Sequence, residues 1–525
     1  MIALIRSSCW PLGAGKGMLS LDRALGYACR AAGNGGARAR SSARAARQKS
    51  RQVVVSTDPA LLSAIELLRR YRSRELSPVE VVGAVFDRIE TCGEQVNAFC
   101  LLKRKSALAS ARESEARWRA GKPCGRLDGV PVTIKDLILT RGWPTLRGSR
   151  IIDSSQPWDD DAPVTAALRR HGAVLIGKTT TPEFGWKGVT DNALTGITRN
   201  PWNTAMTPGG SSGGAAAACA LGMGALHVGT DGGGSIRIPA GFTGIFGIKP
   251  SFGRVPAWPL SPFGTVSHVG PMTRTVADAA LMLTVISEPD ARDWHALPYT
   301  ETDYLAGLDE GIDGLRIGYS PDLGYADVDP EIAAAVDASL GVLKQLGARV
   351  EEVPPMFDPV GPLFLIFWAS GAAQLLRGFP PHLRDLVDPG LQEVAAYGEQ
   401  LTLADYLDAV ASRGALGERM NRFHQDFDLL VTPTLPIPAF AAGLEKPEWM
   451  AADRWADWTP FTYPFNLTGQ PACSIPCGFT GDGLPAGMQI VGPRYADAMV
   501  LRAARAFESV RPFIMPAVPR VPAVA

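Results

Sequence analysis

From Asn200 to Thr230 the chain carries no Asp, Glu, Lys or Arg, although a fifth of all its residues are charged. The surrounding region, Thr207 to Arg254, reads "TPGGSSGGAAAACALGMGALHVGTDGGGSIRIPAGFTGIFGIKPSFGR". Four readings compete for it: a linker, a membrane span, a phosphate cradle, or the floor of an active site. A linker needs a polar, solvated composition, whereas this run embeds "ALHVGT" and "IFGIKP", which read as core strands. A span needs about twenty predominantly apolar residues; Pro208 and the glycines break the run, and "LFLIFWASGAAQLL" (Leu363 to Leu376) is more apolar but too short. No transmembrane helix is predicted. Glycine-rich loops do aim amides at phosphates, but neither nucleotide-binding fingerprint is met. The remaining anion for such amides is a transient one, the oxyanion of a tetrahedral intermediate.

Composition frames this reading. Nearly half the residues are apolar, the formal net charge is zero and the pI is near 7, which excludes general disorder and collagen and gives no sign of a nucleic-acid or anionic-membrane partner. The average hides an asymmetry: residues 1–52 hold ten Lys and Arg against Asp22 alone, leaving about nine net negative charges on the remainder. The middle of this head, "RAAGNGGARARSSARAARQKSRQ", is too poor in large apolar residues to offset the entropy of ordering. Residues 1–55 are read as a disordered basic extension, resembling a transit peptide or upstream sequence translated from a misplaced start. The eight cysteines are scattered without a paired framework, as expected in a reducing compartment, and the cytoplasm is the expected location. Cys473 and Cys477, in the strand-like "PACSIPCGF", read as buried thiols and not as a metal site.

Past the head, "DPALLSAIELLRRYRSREL" has helical spacing with Asp58 as cap, and Ser77, Pro78 and Glu80 form a capping box for the next helix. "GVPVTIKDLI" is predicted to be a buried strand with Lys135 at its end. A helix over about Ala162 to His171 and a strand over Ala173 to Gly177 begin an alternation of helices and strands that continues to the C-terminal end. Regular alternation predicts one large α/β/α layered domain around a mixed β-sheet, spanning residues 58–512 with a tail at 513–525. Strand directions are expected to be mixed, because the strands around Cys473 and Gln489 are joined only by "TGDGLPA".

"GVPVTIKD" (Gly129 to Asp136), "GGSSGG" (Gly209 to Gly214) and "GTDGGGSIRIPAGFTGIFGIKPSFGR" (Gly229 to Arg254) resemble the amidase signature family of serine hydrolases. The resemblance covers about residues 58 to 512. It implies a catalytic Ser-cisSer-Lys triad of Ser235 as nucleophile, Ser211 as relay and Lys135 as base, with the peptide before Ser211 cis. It also implies an oxyanion hole of backbone N–H groups at Gly232, Gly233, Gly234 and Ser235, and a structural pair, Asp231 and Arg237. Ser212 is supportive; Thr230 and Asp136 are second-layer candidates. Glycine at 232, where relatives often carry a side chain, suggests a slightly wider pocket.

These residues suit acyl transfer on physical grounds. A lysine serves as base only when neutral, and burial beside Val132 and Ile134 favours the neutral amine. None of the six histidines sits in a motif pairing it with a serine nucleophile, so all are read as structural or surface residues. The resulting expectation is hydrolysis of a carboxamide C–N bond through an acyl-enzyme, with no cofactor and no metal, acting on a small-molecule amide, with a homodimer as the assembly the resemblance suggests. The rivals are the glutaminase subunit of a tRNA-dependent amidotransferase, an aryl-acylamide, carbamate or urea hydrolase on the same fold, and a catalytically silent binding module. "PLFLIFWAS" and "WADWTPFTYPFNLTG" are candidates to line the pocket or to pack the core.

Overall fold

Helix caps legible in the sequence set the first elements of the computed structural model, which describes residues 58–517. The readings of the basic head, and of all but the start of the tail, fall outside these residues. Asp58 does accept from the Ala60 amide at 2.9 Å, but it starts only a 3-10 turn, Pro59–Leu61. Leu62 and Ser63 are extended, and the α-helix Ala64–Ser73 begins under a second cap, Ser63, which accepts from Glu66 N–H at 3.1 Å. One expected helix is therefore two elements. The capping box is present at the start of helix Pro78–Val96, with Ser77 and Glu80 in their reciprocal roles.

The described strands form one mixed eleven-stranded sheet and a separate two-stranded ribbon. In spatial order the large sheet runs Phe99–Leu102, Val174–Thr179, Pro131–Lys135, Leu226–Asp231, His268–Thr273 and Phe246–Lys249, then Ala472–Phe479, Pro485–Val491, Leu429–Pro433, Arg316–Tyr319 and Arg349–Glu352. Pro131–Lys135 is parallel to both its neighbours, and Arg316–Tyr319 to both of its own. The strands between these wings are antiparallel, including the expected hairpin over Ala472–Val491.

Alternating strand residues feed two apolar layers, as the period of a strand requires. Leu429 and Val431 join a core with helices Val276–Ile286, Pro330–Gln345 and Asp497–Val510. Leu430, between them, faces helices Gly361–Arg377, Pro389–Gln400 and Leu403–Asp426. This is the layered α/β arrangement expected. Among the described residues no helix is long and apolar enough to cross a membrane.

The charge-free run finds its explanation here: from Thr207 to Pro250 every residue is buried except Thr230, which is partly open. Its "GGAAAACA" segment is a helix, Gly213–Ala220, with no exposed face at all, a helix that only small uncharged residues can build inside a core.

Candidate active site

Lys135 ends its strand fully buried, beside the last residues of the parallel strand Leu226–Asp231. Its Nζ lies 2.7 Å from Ser211 Oγ, 2.9 Å from Ser212 Oγ and 2.8 Å from Thr230 Oγ1. Burial pushes its pKa well below the usual lysine value, with the charge of Asp231 opposing. The Ser212 hydroxyl donates to the Thr230 carbonyl at 3.1 Å, so toward Lys135 it acts only as acceptor. A neutral amine has two N–H groups and one lone pair. With one N–H directed to Ser212, the lone pair is left to meet a hydroxyl of Ser211 or Thr230. Ser212 and Thr230, read from the sequence as secondary, both touch the amine directly.

The Gly210–Ser211 peptide is cis, as the resemblance implied. Ser212 N–H donates to the Ser235 carbonyl at 3.2 Å, tying the serine-rich turn to the glycine loop. Ser211, Thr230, Gly232 and Ser235 open onto one cavity. Ser211, Ser212 and Thr230, distant along the chain from Lys135, are thus gathered around its buried amine, and Ser235 lines the same cavity.

Beneath the glycine loop lies a fully buried ion pair. The Asp231 carboxylate accepts from Arg237 Nε and Nη2 at 3.0 and 2.9 Å, from Gly234 N–H at 2.7 Å, and from Ile236 N–H at 3.2 Å. Burial alone would raise the Asp231 pKa, but the guanidinium holds it below the usual carboxylate range. Arg237 reaches further, to the Thr462 carbonyl, Gln489 Oε1 and Asn466 Oδ1 at 2.8, 2.8 and 2.6 Å. Sequence reading missed Thr462, Asn466 and Gln489 in this role; the only signal was that "PFNLTG" and "GMQIVG" place polar residues inside apolar runs.

Two expectations are corrected. The Gly234 amide is committed to Asp231 and is not free for an oxyanion; the amides of Gly232, Gly233 and Ser235 make no hydrogen bond within the described residues. Gly232 does not widen the pocket either: a Cβ there would meet the Trp368 ring at 2.9 Å, so the indole occupies the space a side chain would take. Trp368 stacks on Phe263 with centroids 3.7 Å apart and donates from Nε1 to the Trp186 carbonyl at 3.1 Å. "PLFLIFWAS" therefore supplies one cavity residue, Trp368, while no residue of "WADWTPFTYPFNLTG" lines it.

His227 and His268 are held by contacts within the fold. His227 is bonded to Thr133 Oγ1 at 2.8 Å inside the sheet, its pKa pushed down to about 3 by burial. His268 lines the cavity, but its Nδ1 faces the Val266 and Asp231 carbonyls at 2.9 and 3.2 Å. Asp136 is buried, 3.5 Å from Lys178 Nζ.

Comparison with known proteins bears on this arrangement. The model of the family described as Amidase matches residues 80–501. The chain belongs to the Amidase family. Among its relatives, an acylamidase from Rhodococcus erythropolis is 39% identical over 461 residues, covering 86% of this chain and 96% of that one. A glutamyl-tRNA(Gln) amidotransferase subunit from Myxococcus xanthus is 38% identical, covering 87% and 99%. Among solved structures, a bacterial aryl acylamidase of the amidase signature enzymes superposes with a TM-score of 0.80 at 33% identity, over 86% of this chain and 96% of that one. This member of the family is an amide-hydrolysing enzyme.

Proposed function

We propose that the enzyme cleaves small carboxamides by acyl transfer through Ser235, with Lys135 as base and Ser211 as the relay between them. The observation that carries this reading is a buried lysine amine, drawn toward its neutral form, at 2.7 Å from Ser211 Oγ. Ser235 Oγ attacks the carbonyl carbon and passes its proton to Ser211, whose own proton goes to the Lys135 lone pair. The developing oxyanion is met by the free amides of Gly232, Gly233 and Ser235. As the C–N bond breaks, the relay runs backward and protonates the departing amine; water, deprotonated by the same route, then releases the carboxylate. Trp368 and Phe263 give the cavity an aromatic wall, which favours amides with an aryl or bulky apolar group.

Hydrolysis of an anilide by the purified chain tests the proposal. Ser235→Ala and Lys135→Ala each abolish turnover, and a fluorophosphonate labels the wild type but not Ser235→Ala; wild-type turnover in either variant overturns the scheme. The relationship to amidotransferase subunits favours a second reading, a glutaminase that feeds a partner. It predicts preference for glutamine and copurification with other subunits, and anilide turnover by the isolated chain at enzymatic rates excludes it.

A further inference from the structure

One charged side chain in the cavity wall is used neither by the fold nor by the proposed chemistry. Besides two histidines, the titratable side chains that line the cavity are Arg147 and Asp293. Asp293 is committed, accepting from the amides of Ala257 and His295 at 2.9 and 2.8 Å. The Arg147 guanidinium makes no ion pair or hydrogen bond among the described residues, although the residue is half-buried and lines both the catalytic cavity and a second hollow flanked by Asp159 and Asp160. Burial pulls its pKa below the usual arginine value, with Asp136 opposing.

Its backbone is placed with care. Arg147 has φ +56°, a left-handed conformation that a non-glycine residue adopts at a cost of about 1 kcal/mol or more. Asp136, next to Lys135 in sequence, holds this turn by accepting from the Arg147 and Gly148 amides. The Arg147 carbonyl accepts from Phe184 N–H at 2.8 Å. The next residue, Gly185, lies against the relay serine: a Cβ there would stand 3.3 Å from Ser211 Oγ. The Arg147 turn is therefore fixed by Asp136, the neighbour of Lys135 in sequence, and by the Phe184–Gly185 segment that passes Ser211.

A guanidinium with no carboxylate paired or hydrogen-bonded to it among the described residues, in a wall otherwise rich in Phe, Trp, Pro and Val, has donors left for an anion. We infer that Arg147 anchors a carboxylate carried by the substrate, so that the enzyme prefers amides bearing both an apolar body and a carboxylate removed from the scissile bond. This deepens the proposed amide hydrolysis and rests on it.

Matched substrates test the inference: 4-acetamidobenzoate against 4-methylacetanilide for a carboxylate on the leaving side, and glutaric monoanilide against hexananilide for one on the acyl side. In the wild type one anionic member has the lower KM, by roughly ten- to a hundredfold, the size of a charge-assisted contact. Arg147→Gln collapses that ratio by raising KM for the anionic member, and Arg147→Lys, which keeps the charge without the fork, restores part of it. Equal KM values within both pairs for the wild type, or an equal loss on charged and neutral members in Arg147→Gln, overturns the anchor. Failure of the underlying reading looks different, since then no amide of either charge is turned over.

Discussion

Replacing Asp231 with Asn, nearly isosteric, removes the charge under the Ser235 loop. Five donors face the two carboxylate oxygens: Arg237 twice, the amides of Gly234 and Ile236, and Asn466 Nδ2 at 2.8 Å. An Asn that keeps its oxygen toward Gly234 turns its NH2 group on Arg237 Nε and the Ile236 amide, so two donors lose their acceptor and the guanidinium is left buried without a counter-charge. Breaking a buried pair on one side costs about 3–5 kcal/mol. With an unfolding entropy of about 2.1 cal/mol/K per residue over roughly 460 residues, a loss of that size lowers Tm by about 4 °C. The Ser235 loop loses its anchor at the same time, and a displacement of the proposed nucleophile by about 1 Å costs about a hundredfold in kcat. Calorimetry at a fixed scan rate and anilide kinetics on the same preparations read both effects. Asp231 is held below the ordinary carboxylate range, so its contribution is complete above the unfolded value of about 3.9 and fades as pH falls below it; the Tm gap to Asp231→Asn closes only in acid. A Tm within about 1 °C of wild type, with kcat/KM kept within about threefold, refutes the view that this pair braces the loop.

Lys135, as the proposed base, carries its own pH signature. Lys135 must be neutral to act, so kcat/KM falls as pH drops through its lowered pKa, with a slope of one proton; a profile flat down to the carboxylate range rejects it as base. Its stability linkage has the opposite origin from an ion pair: between the lowered folded value and the ordinary lysine value of about 10.4 the unfolded chain binds the extra proton. Stability therefore rises with pH across that window, and Lys135→Met flattens the rise in urea titrations. Trp368→Ala removes the stack on Phe263 and costs about 3–5 kcal/mol, while kcat/KM shifts toward bulkier amides in a substrate series. Gly232→Ala drives a Cβ into the indole and costs about 1–3 kcal/mol; paired with Trp368→Leu the cost shrinks, and strict additivity of the two changes in denaturation refutes the contact.

Local rules carried far into this protein. The capping box at Ser77, the strand ending at Lys135, the hairpin through "TGDGLPA" and the layered mixed sheet follow from turn chemistry and periodicity, which act over a few residues and are written in consecutive letters. The helix Gly213–Ala220 was not legible, because a segment of Gly and Ala has no amphipathic period to read. Neither was the break at Leu62, where two caps compete within six residues.

The amino-acid sequence alone determined which groups are available: an amine beside apolar strand residues, two serines in glycine-rich turns, an acid and a guanidinium six residues apart. Tertiary structure decided what each of them meets. It spent the Gly234 amide on Asp231, put the Trp368 indole where a residue-232 side chain would lie, and left the guanidinium of Arg147, a residue of the cavity wall, without a hydrogen bond or ion pair among the described residues. Those outcomes depend on contacts between segments tens to hundreds of residues apart, and the distances that settle a hydrogen bond or a clash exist only once the chain has closed on itself.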